Sequence, residues 1–229
     1  MWLIDSSIGR KVVMSVTGGA LILFLTFHMA MNSVVLIPEN GEEYYNAVCE
    51  FLGANWYALV GTVGLAILVV LHFIYAFILT IQNMRARGSE KYAVTERPKS
   101  VEWASQNMLV LGVIVALGLC LHLFNFWSKM QLQEIVHGTN FVPGQESAAD
   151  GAALIKYTFS QWYYVVLYII WLAALWFHLS HGFWSALQTL GWNGKTWQKR
   201  WQVIGNIYVT LLVLGFVAVV LMFFFKSLC

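Results

Sequence analysis

The chain has 229 residues, of which 59% are hydrophobic and 10% charged, and its mean hydropathy is +0.68. A soluble domain carries roughly 25% charged residues, so this composition excludes an ordinary water-soluble globule and points to lipid as the solvent. The formal net charge of +2 says little by itself; its distribution along the chain matters more, and no nucleic acid is expected as a partner.

Near-continuous apolar runs of about 20 residues are long enough to cross a bilayer as helices. Five are expected. The first follows Arg10-Lys11, covers about 11–37 and stops before Pro38-Glu39-Asn40-Gly41. Basic residues before an apolar run resemble a secretion signal, but this run is long and contains His28, so it reads as an uncleaved first span. The second covers about 56–84 and ends at Arg85-Ala86-Arg87-Gly88, and the third covers about 103–127. A polar loop with His137 and Pro143-Gly144 leads to the fourth, about 157–190, and the fifth covers about 203–225. The expected fold class is therefore an all-α membrane protein, a single antiparallel bundle of five helices over residues 1–229.

Charge orients the bundle. With the N-terminus in the cytoplasm, the inner basic residues are Arg10, Lys11, Arg85, Arg87, Lys91, Arg97, Lys99, Lys195, Lys199 and Arg200, and the outer ones are Lys129, Lys156 and Lys226. Ten against three satisfies the positive-inside rule, and the C-terminus then lies outside. Most acids, including Glu39, Glu42, Glu43, Glu50, Glu134, Glu146 and Asp150, fall outside as well. Cys49, Cys120 and Cys229 form no CxxC pair, which argues against an iron–sulfur cluster or a structural zinc site within the chain. A Cys49–Cys229 disulfide is not expected.

Five of the six histidines, His28, His72, His122, His178 and His181, lie inside the apolar runs. An imidazole in hydrocarbon is costly unless a partner satisfies it, so each is a candidate functional residue. Depth sorts them. At about 1.5 Å of rise per residue, His72 and His178 lie roughly 20 Å and 18 Å from the inner ends of their helices. His28 and His122 lie roughly 26 Å and 30 Å from theirs. The expected pairs are His72 with His178 at the inner level, and His28 with His122 nearer the outer face. Paired imidazoles on facing helices can hold the two axial positions of a haem iron.

Small residues beside them leave space for a flat group. Gly118 precedes His122 by four residues and Gly182 follows His178 by four, so each shares a helix face with its histidine. Thr17 and Gly61 lie about three turns before His28 and His72. A lone intramembrane histidine is often only an interhelical hydrogen-bonding group; four on four helices, matched in depth, argue for two haems. A proton relay or metal transporter would recruit carboxylates, and no Asp or Glu lies well inside any span. His181 shares the face of His178. It reads as a partner for a propionate or another helix, and His137 as a solvated loop residue.

The opening Ser6-Ser7-Ile8-Gly9-Arg10-Lys11 with Met14 and Thr17-Gly18, the four placed histidines, and His178…Gly182 followed by Gln188-Thr189-Leu190-Gly191 together resemble one family. It is the di-haem cytochrome b membrane anchor of succinate dehydrogenase and fumarate reductase, in its single-chain, five-helix, menaquinone-using form. The resemblance runs over essentially the whole chain. It implies two haem b groups with His28, His72, His122 and His178 as iron ligands, the first paired with the third and the second with the fourth. It also implies a menaquinone site near the outer haem, and docking of an iron–sulfur subunit and a flavoprotein subunit on the cytoplasmic side. The location implied is the bacterial cytoplasmic membrane, with the chain multi-pass in the lipid bilayer, and dicarboxylate chemistry belongs to another subunit.

Ser15, Arg10, Lys11 and Trp103 lie toward the inner side and are candidate contacts of the inner propionates. Quinone chemistry needs a proton donor and acceptor; Glu50 is the first candidate and Glu43 the second, with quinone protons exchanging at the outer face. Two other classes compete: a haem-free anchor whose histidines cross-link helices, and a haem b subunit of another dehydrogenase. Haem content separates the first of these, and the co-purifying enzyme separates the second.

Overall fold

The computed structural model describes residues 6–53, 55–87, 103–192 and 194–229. Lys91, Arg97 and Lys99, which enter the charge count above, lie outside the described residues. Helices α1 (Ser7–Ser33), α2 (Gly41–Phe51), α3 (Trp56–Arg87), α4 (Trp103–Gln106) and α5 (Met108–Asn125) are followed by α6 (Gln131–Val136), α7 (Gly151–Phe159), α8 (Trp162–Thr189) and α9 (Trp197–Leu228), with no strand among the described residues. Among the described residues five segments are long and apolar enough to cross a membrane: Ser7–Leu36, Trp56–Ala86, Met108–Lys129, Trp162–Thr189 and Trp197–Leu228. The chain is a multi-pass helical membrane protein by these criteria. Large apolar side chains such as Leu23, Val60, Phe77, Leu117 and Leu211 are accordingly exposed on its flanks, where lipid is the solvent.

Helix ends depart from the hydropathy boundaries where local chemistry decides. The first helix starts at Ser7 rather than Lys11, because the Ser6 hydroxyl accepts the Gly9 N–H at 2.9 Å and caps it. The expected third span is broken at Asn107, between α4 and α5, and closes in a 3-10 turn at Trp127–Lys129. The fourth begins at Trp162, since residues 151–159 form α7, a separate helix capped by Asp150, which accepts from Ala153 N–H at 3.2 Å. At its other end, Gly191 adopts φ +85°, and Trp192 N–H returns to Leu187 O at 2.9 Å, a glycine-dependent stop. The fifth starts at Trp197, six residues earlier than expected. The helix includes Lys199 and Arg200, which hydropathy alone assigns to the loop.

α8 is the hub, packing against α1, α5 and α9. The buried apolar core lies mainly between α1, α8 and α9, where Ile22 and Met29 meet Leu172, Leu175 and Leu179 together with Val209, Val213, Val220 and Phe223. Buried side chains of this kind contribute about 1.5–3 kcal/mol each when water is the reference solvent. In lipid that reference weakens, and close packing with a few hydrogen bonds holds the helices. Such ties run from Trp176 Nε1 to Thr210 Oγ1 (2.9 Å) and between Thr26 and Tyr208. By contrast α3 packs extensively on α1 alone, and none of its apolar window is buried.

Short polar helices close one end, which also bears Glu42, Glu43, Glu50, Glu134 and Asp150. Asn46 of α2 donates to Asp150 Oδ1 at 2.9 Å and accepts Ala152 N–H at 2.9 Å, clamping α2 onto the start of α7. The opposite end carries Arg10, Lys11, Arg85, Lys195, Lys199 and Arg200.

Candidate functional site: two imidazole pairs

The four placed histidines stand in two pairs inside the bundle. The His28 and His122 ring centres are 5.8 Å apart with planes at 88°, and those of His72 and His178 are 6.4 Å apart at 66°. These are the partners that depth along the helices assigns. Neither pair joins helices that pack extensively on each other: α1–α5 and α3–α8 are not among the main packing pairs of the described residues, whereas α1–α3, α1–α8 and α5–α8 are. Each pair therefore joins helices that share a packing neighbour, α8 for the first pair and α1 for the second, rather than helices packed on each other.

The surroundings of the two pairs differ. Around His28 and His122 they are aromatic: Phe24 stacks on His28 at 5.5 Å, and Phe216 lies 5.9 Å from it. Phe126 and Trp171 lie 5.2 Å and 5.7 Å from His122. Polar partners sit one turn further along. Asn32 donates to His28 O at 2.8 Å, and its amide nitrogen is 3.5 Å from His28 Nε2. Its Oδ1 accepts from Tyr45 OH at 3.1 Å. Asn125 donates to Tyr168 OH at 3.4 Å. Spacing alone could have singled out Asn32 and Asn125, which follow their histidines by four and three residues and so share their faces.

Around His72 and His178 the packing is sparser. Thr17 Oγ1 lies 3.2 Å from His72 Nδ1. A Cβ at Gly18 would sit 3.3 Å from His72 Cε1, and one at Gly112 would sit 3.9 Å from His178 Cε1. Among the described residues His178 Nδ1, which is buried, has no hydrogen-bond partner. An orphaned imidazole nitrogen in an apolar interior is expensive, and a bound group would relieve it.

Chemically, each pair brings together two imidazoles, a common type of metal ligand, with ring centres 5.8 Å and 6.4 Å apart. Two imidazole nitrogens each about 2 Å from a shared metal put their ring centres roughly 6 Å apart. Among the described residues no three or more His, Cys, Asp and Glu side chains gather as a metal-holding group. The histidines come in twos, so a metal here would take its remaining ligands from a group that carries them.

The other expected site residues are placed as follows. Ser15 is buried on α1, Arg10 is half-buried and Lys11 exposed. Trp103 is exposed and packs at 5.1 Å against Phe177, the residue before His178. His181 stands edge-on to Trp184 at 5.0 Å. Glu50 and Glu43 are exposed on α2. Gly182 and Gly61 have open space where a side chain would be, but Gly118 does not. A Cβ there would lie 2.0 Å from Trp171 Cδ1, because the indole crosses α5 at this point to donate to Val115 O at 3.0 Å. The expectation that Gly118 leaves room for a cofactor edge is corrected: the room is taken by Trp171.

The chain was compared with protein-family models, curated proteins and solved structures. It matches none of them.

Beyond the spans, α2 holds a buried phenol and thiol. Burial, and then the neighbouring Cys49, push the Tyr45 hydroxyl well above its ordinary range. Burial pushes the Cys49 thiol up to about 11, partly offset by hydrogen bonds from Tyr45 and the Gly151 backbone. Both groups are neutral at physiological pH.

Sequence reasoning passed over a second polar knot at this end. Gln131 Oε1 accepts from Thr62 Oγ1 (2.9 Å) and Trp127 Nε1 (3.0 Å), while its amide donates to Gly53 O at 3.2 Å. The Glu134 carboxylate lies directly over Gly53, where a Cβ would be 2.4 Å from Oε2.

Proposed function

We propose that the chain is a membrane-anchoring cytochrome b, holding two haem b groups between His28 and His122 and between His72 and His178. We further propose that it passes electrons between an iron–sulfur subunit and menaquinone in a succinate dehydrogenase or fumarate reductase complex. The observation that carries the haem reading is the pair geometry: two imidazoles per pair, about one metal-bridged separation apart, on helices that do not pack extensively on each other. A planar tetradentate macrocycle is the ligand type that completes a centre to which the protein gives only two donors. Haem held by either pair would supply a one-electron carrier.

The chain's own residues do the rest. The imidazoles present neutral nitrogens, and the Phe24, Phe126, Trp171 and Phe216 rings exclude water from the pair nearer the acidic end. Exclusion of water and axial-ligand identity are two of the protein's levers on haem potential. Ser15, Arg10 and Lys11 stand on the first helix toward the basic end, where propionates would meet donors and cations; Trp103 and His181 are further contacts in this reading. Glu50, exposed at the acidic end, gives and takes quinone protons at its carboxylate, with Glu43 as the second choice.

The succinate and menaquinone assignment rests on the resemblance of the opening segment, the four histidines and the His178…Gly191 element. With it come the flavoprotein and iron–sulfur partners, an N-terminus-inside orientation supported by the distribution of Lys and Arg, and the bacterial cytoplasmic membrane. The test is purification of the native complex from membranes. Co-elution with a flavoprotein and an iron–sulfur protein, and reduction of the chain's haem by succinate, are expected. Co-elution with a nickel or molybdenum enzyme, and no response to succinate, would refute the assignment while leaving the haem reading in place.

A further inference from the structure

We infer that Thr17 is a positioning residue for His72: its hydroxyl fixes which imidazole nitrogen carries the proton and so which one is free to bind. The argument starts from one hydrogen. Thr17 is buried, at 4% exposure, and its Oγ1 lies 2.9 Å from Val13 O and 3.1 Å from Met14 O. A hydroxyl has a single proton, and here the two backbone carbonyls behind it share that proton. Its lone pairs are what remain for His72 Nδ1, 3.2 Å away. The imidazole must therefore be the donor, carrying its proton on Nδ1.

A neutral imidazole protonated on Nδ1 has its lone pair on Nε2, the nitrogen on the other side of the ring. The neighbouring Gly18 completes the seat, because a side chain there would press on His72 Cε1 from 3.3 Å. Thr17-Gly18 thus holds one ring by its nitrogen and makes room for its edge. Among the described residues no equivalent is seen for His178, whose buried Nδ1 has no hydrogen-bond partner there. The pair is therefore asymmetric, with one oriented imidazole and one that takes its orientation from packing. Among the described residues α3 packs extensively on α1 alone, so this contact lies on the one helix face that bears most of its packing.

The consequence for iron rests on the proposed haem reading; the tautomer does not. A hydrogen bond from the far N–H makes a metal-bound imidazole more basic, which favours the oxidised metal. Thr17→Val keeps the shape and removes the acceptor. ¹⁵N NMR of histidine-labelled, reduced, full-length protein in bilayers is expected to show His72 in the Nδ1–H form. The form becomes mixed in Thr17→Val and returns in Thr17→Ser.

Redox titration of the same samples is expected to raise the potential of the His72–His178 centre in Thr17→Val. The ferric-to-ferrous ratio at a fixed potential then falls about tenfold, or about 59 mV. The other centre stays unchanged and reports correct folding. Thr17→Ala gives the same readout where the valine variant does not assemble. An unchanged tautomer in the valine or alanine variant, or failure of serine to restore it, overturns the inference. Protein that binds no haem but shows the tautomer change overturns the haem reading and leaves the role of Thr17 standing.

Discussion

His28 and His122 stand 5.8 Å apart with ring planes at 88°, although the helices that carry them do not pack extensively on each other. The same holds for His72 and His178. Two interhelical histidines that merely glued helices together would sit where those helices touch. These join helices that share a packing neighbour and do not pack extensively on each other.

Gly118 is the most sensitive small residue beside the site. A methyl there meets the Trp171 ring, which is tied to Val115 and cannot swing away cheaply. Gly118→Ala is expected to cost about 1–3 kcal/mol, the range for overpacking a core, and to lower the unfolding temperature in detergent. Because Trp171 also lies against His122 at 5.7 Å, the optical spectrum of that centre should change. Gly61→Ala, with open space around it, should leave both unchanged.

The clamp between α2 and α7 is separable from the site. Asn46→Ala removes two hydrogen bonds and leaves the Ala152 N–H, in a residue 3% exposed, without its acceptor. The expected loss is about 1–3 kcal/mol, with no change in the absorption of the reduced protein. Faster hydrogen exchange confined to α2 and the start of α7 is the direct readout. Loss of cofactor in this variant would show that the clamp also supports the site.

The raised Cys49 pKa predicts its reactivity. At pH 8 a thiol titrating near 11 is roughly 0.1% thiolate, so alkylation is slow and accelerates with an apparent pKa near 11. Cys229, exposed at the chain end, labels first. Linkage gives the sign for stability. The folded pKa lies above the ordinary 9.0, so the contribution is complete below pH 9 and is lost as pH rises through 11. Unfolding midpoints that stay flat from pH 8 to 11 in wild type, with Cys49→Ser no different, would contradict this.

Much of this arrangement is legible in the sequence, for reasons that can be named. Lipid demands long apolar runs, so the spans are visible, and a buried imidazole has so few alternatives that counting along helices was enough to pair His28 with His122 and His72 with His178. What stayed hidden depends on partners distant in the chain. The Asn46–Asp150 bond joins residues 104 apart, and nothing local marks it. Gly118 was misread because a missing side chain looks the same whether a cofactor or Trp171 fills the space. Thr17 was visible as a face, but not as an acceptor. That role depends on Val13 and Met14 claiming its proton and on α3 packing beside it.

Quinone chemistry at the acidic end is tested by Glu50→Gln. General acid–base residues contribute about 10²–10⁴ in rate, so menaquinone-linked turnover should fall about a hundredfold or more while cofactor content holds. Glu43→Gln is the comparison. Normal turnover in the Glu50 variant would remove that residue from the role and direct attention to Glu134, half-buried over Gly53.

The central claim is tested most directly by counting haem. Purified wild-type chain should contain two b-type haems and give a reduced-minus-oxidised spectrum that resolves into two components on redox titration. Replacing His28 or His122 with alanine should remove one component, replacing His72 or His178 the other, and His181→Ala should keep both. A correctly assembled chain without haem, or one whose haem count is untouched by all four replacements, would contradict the account.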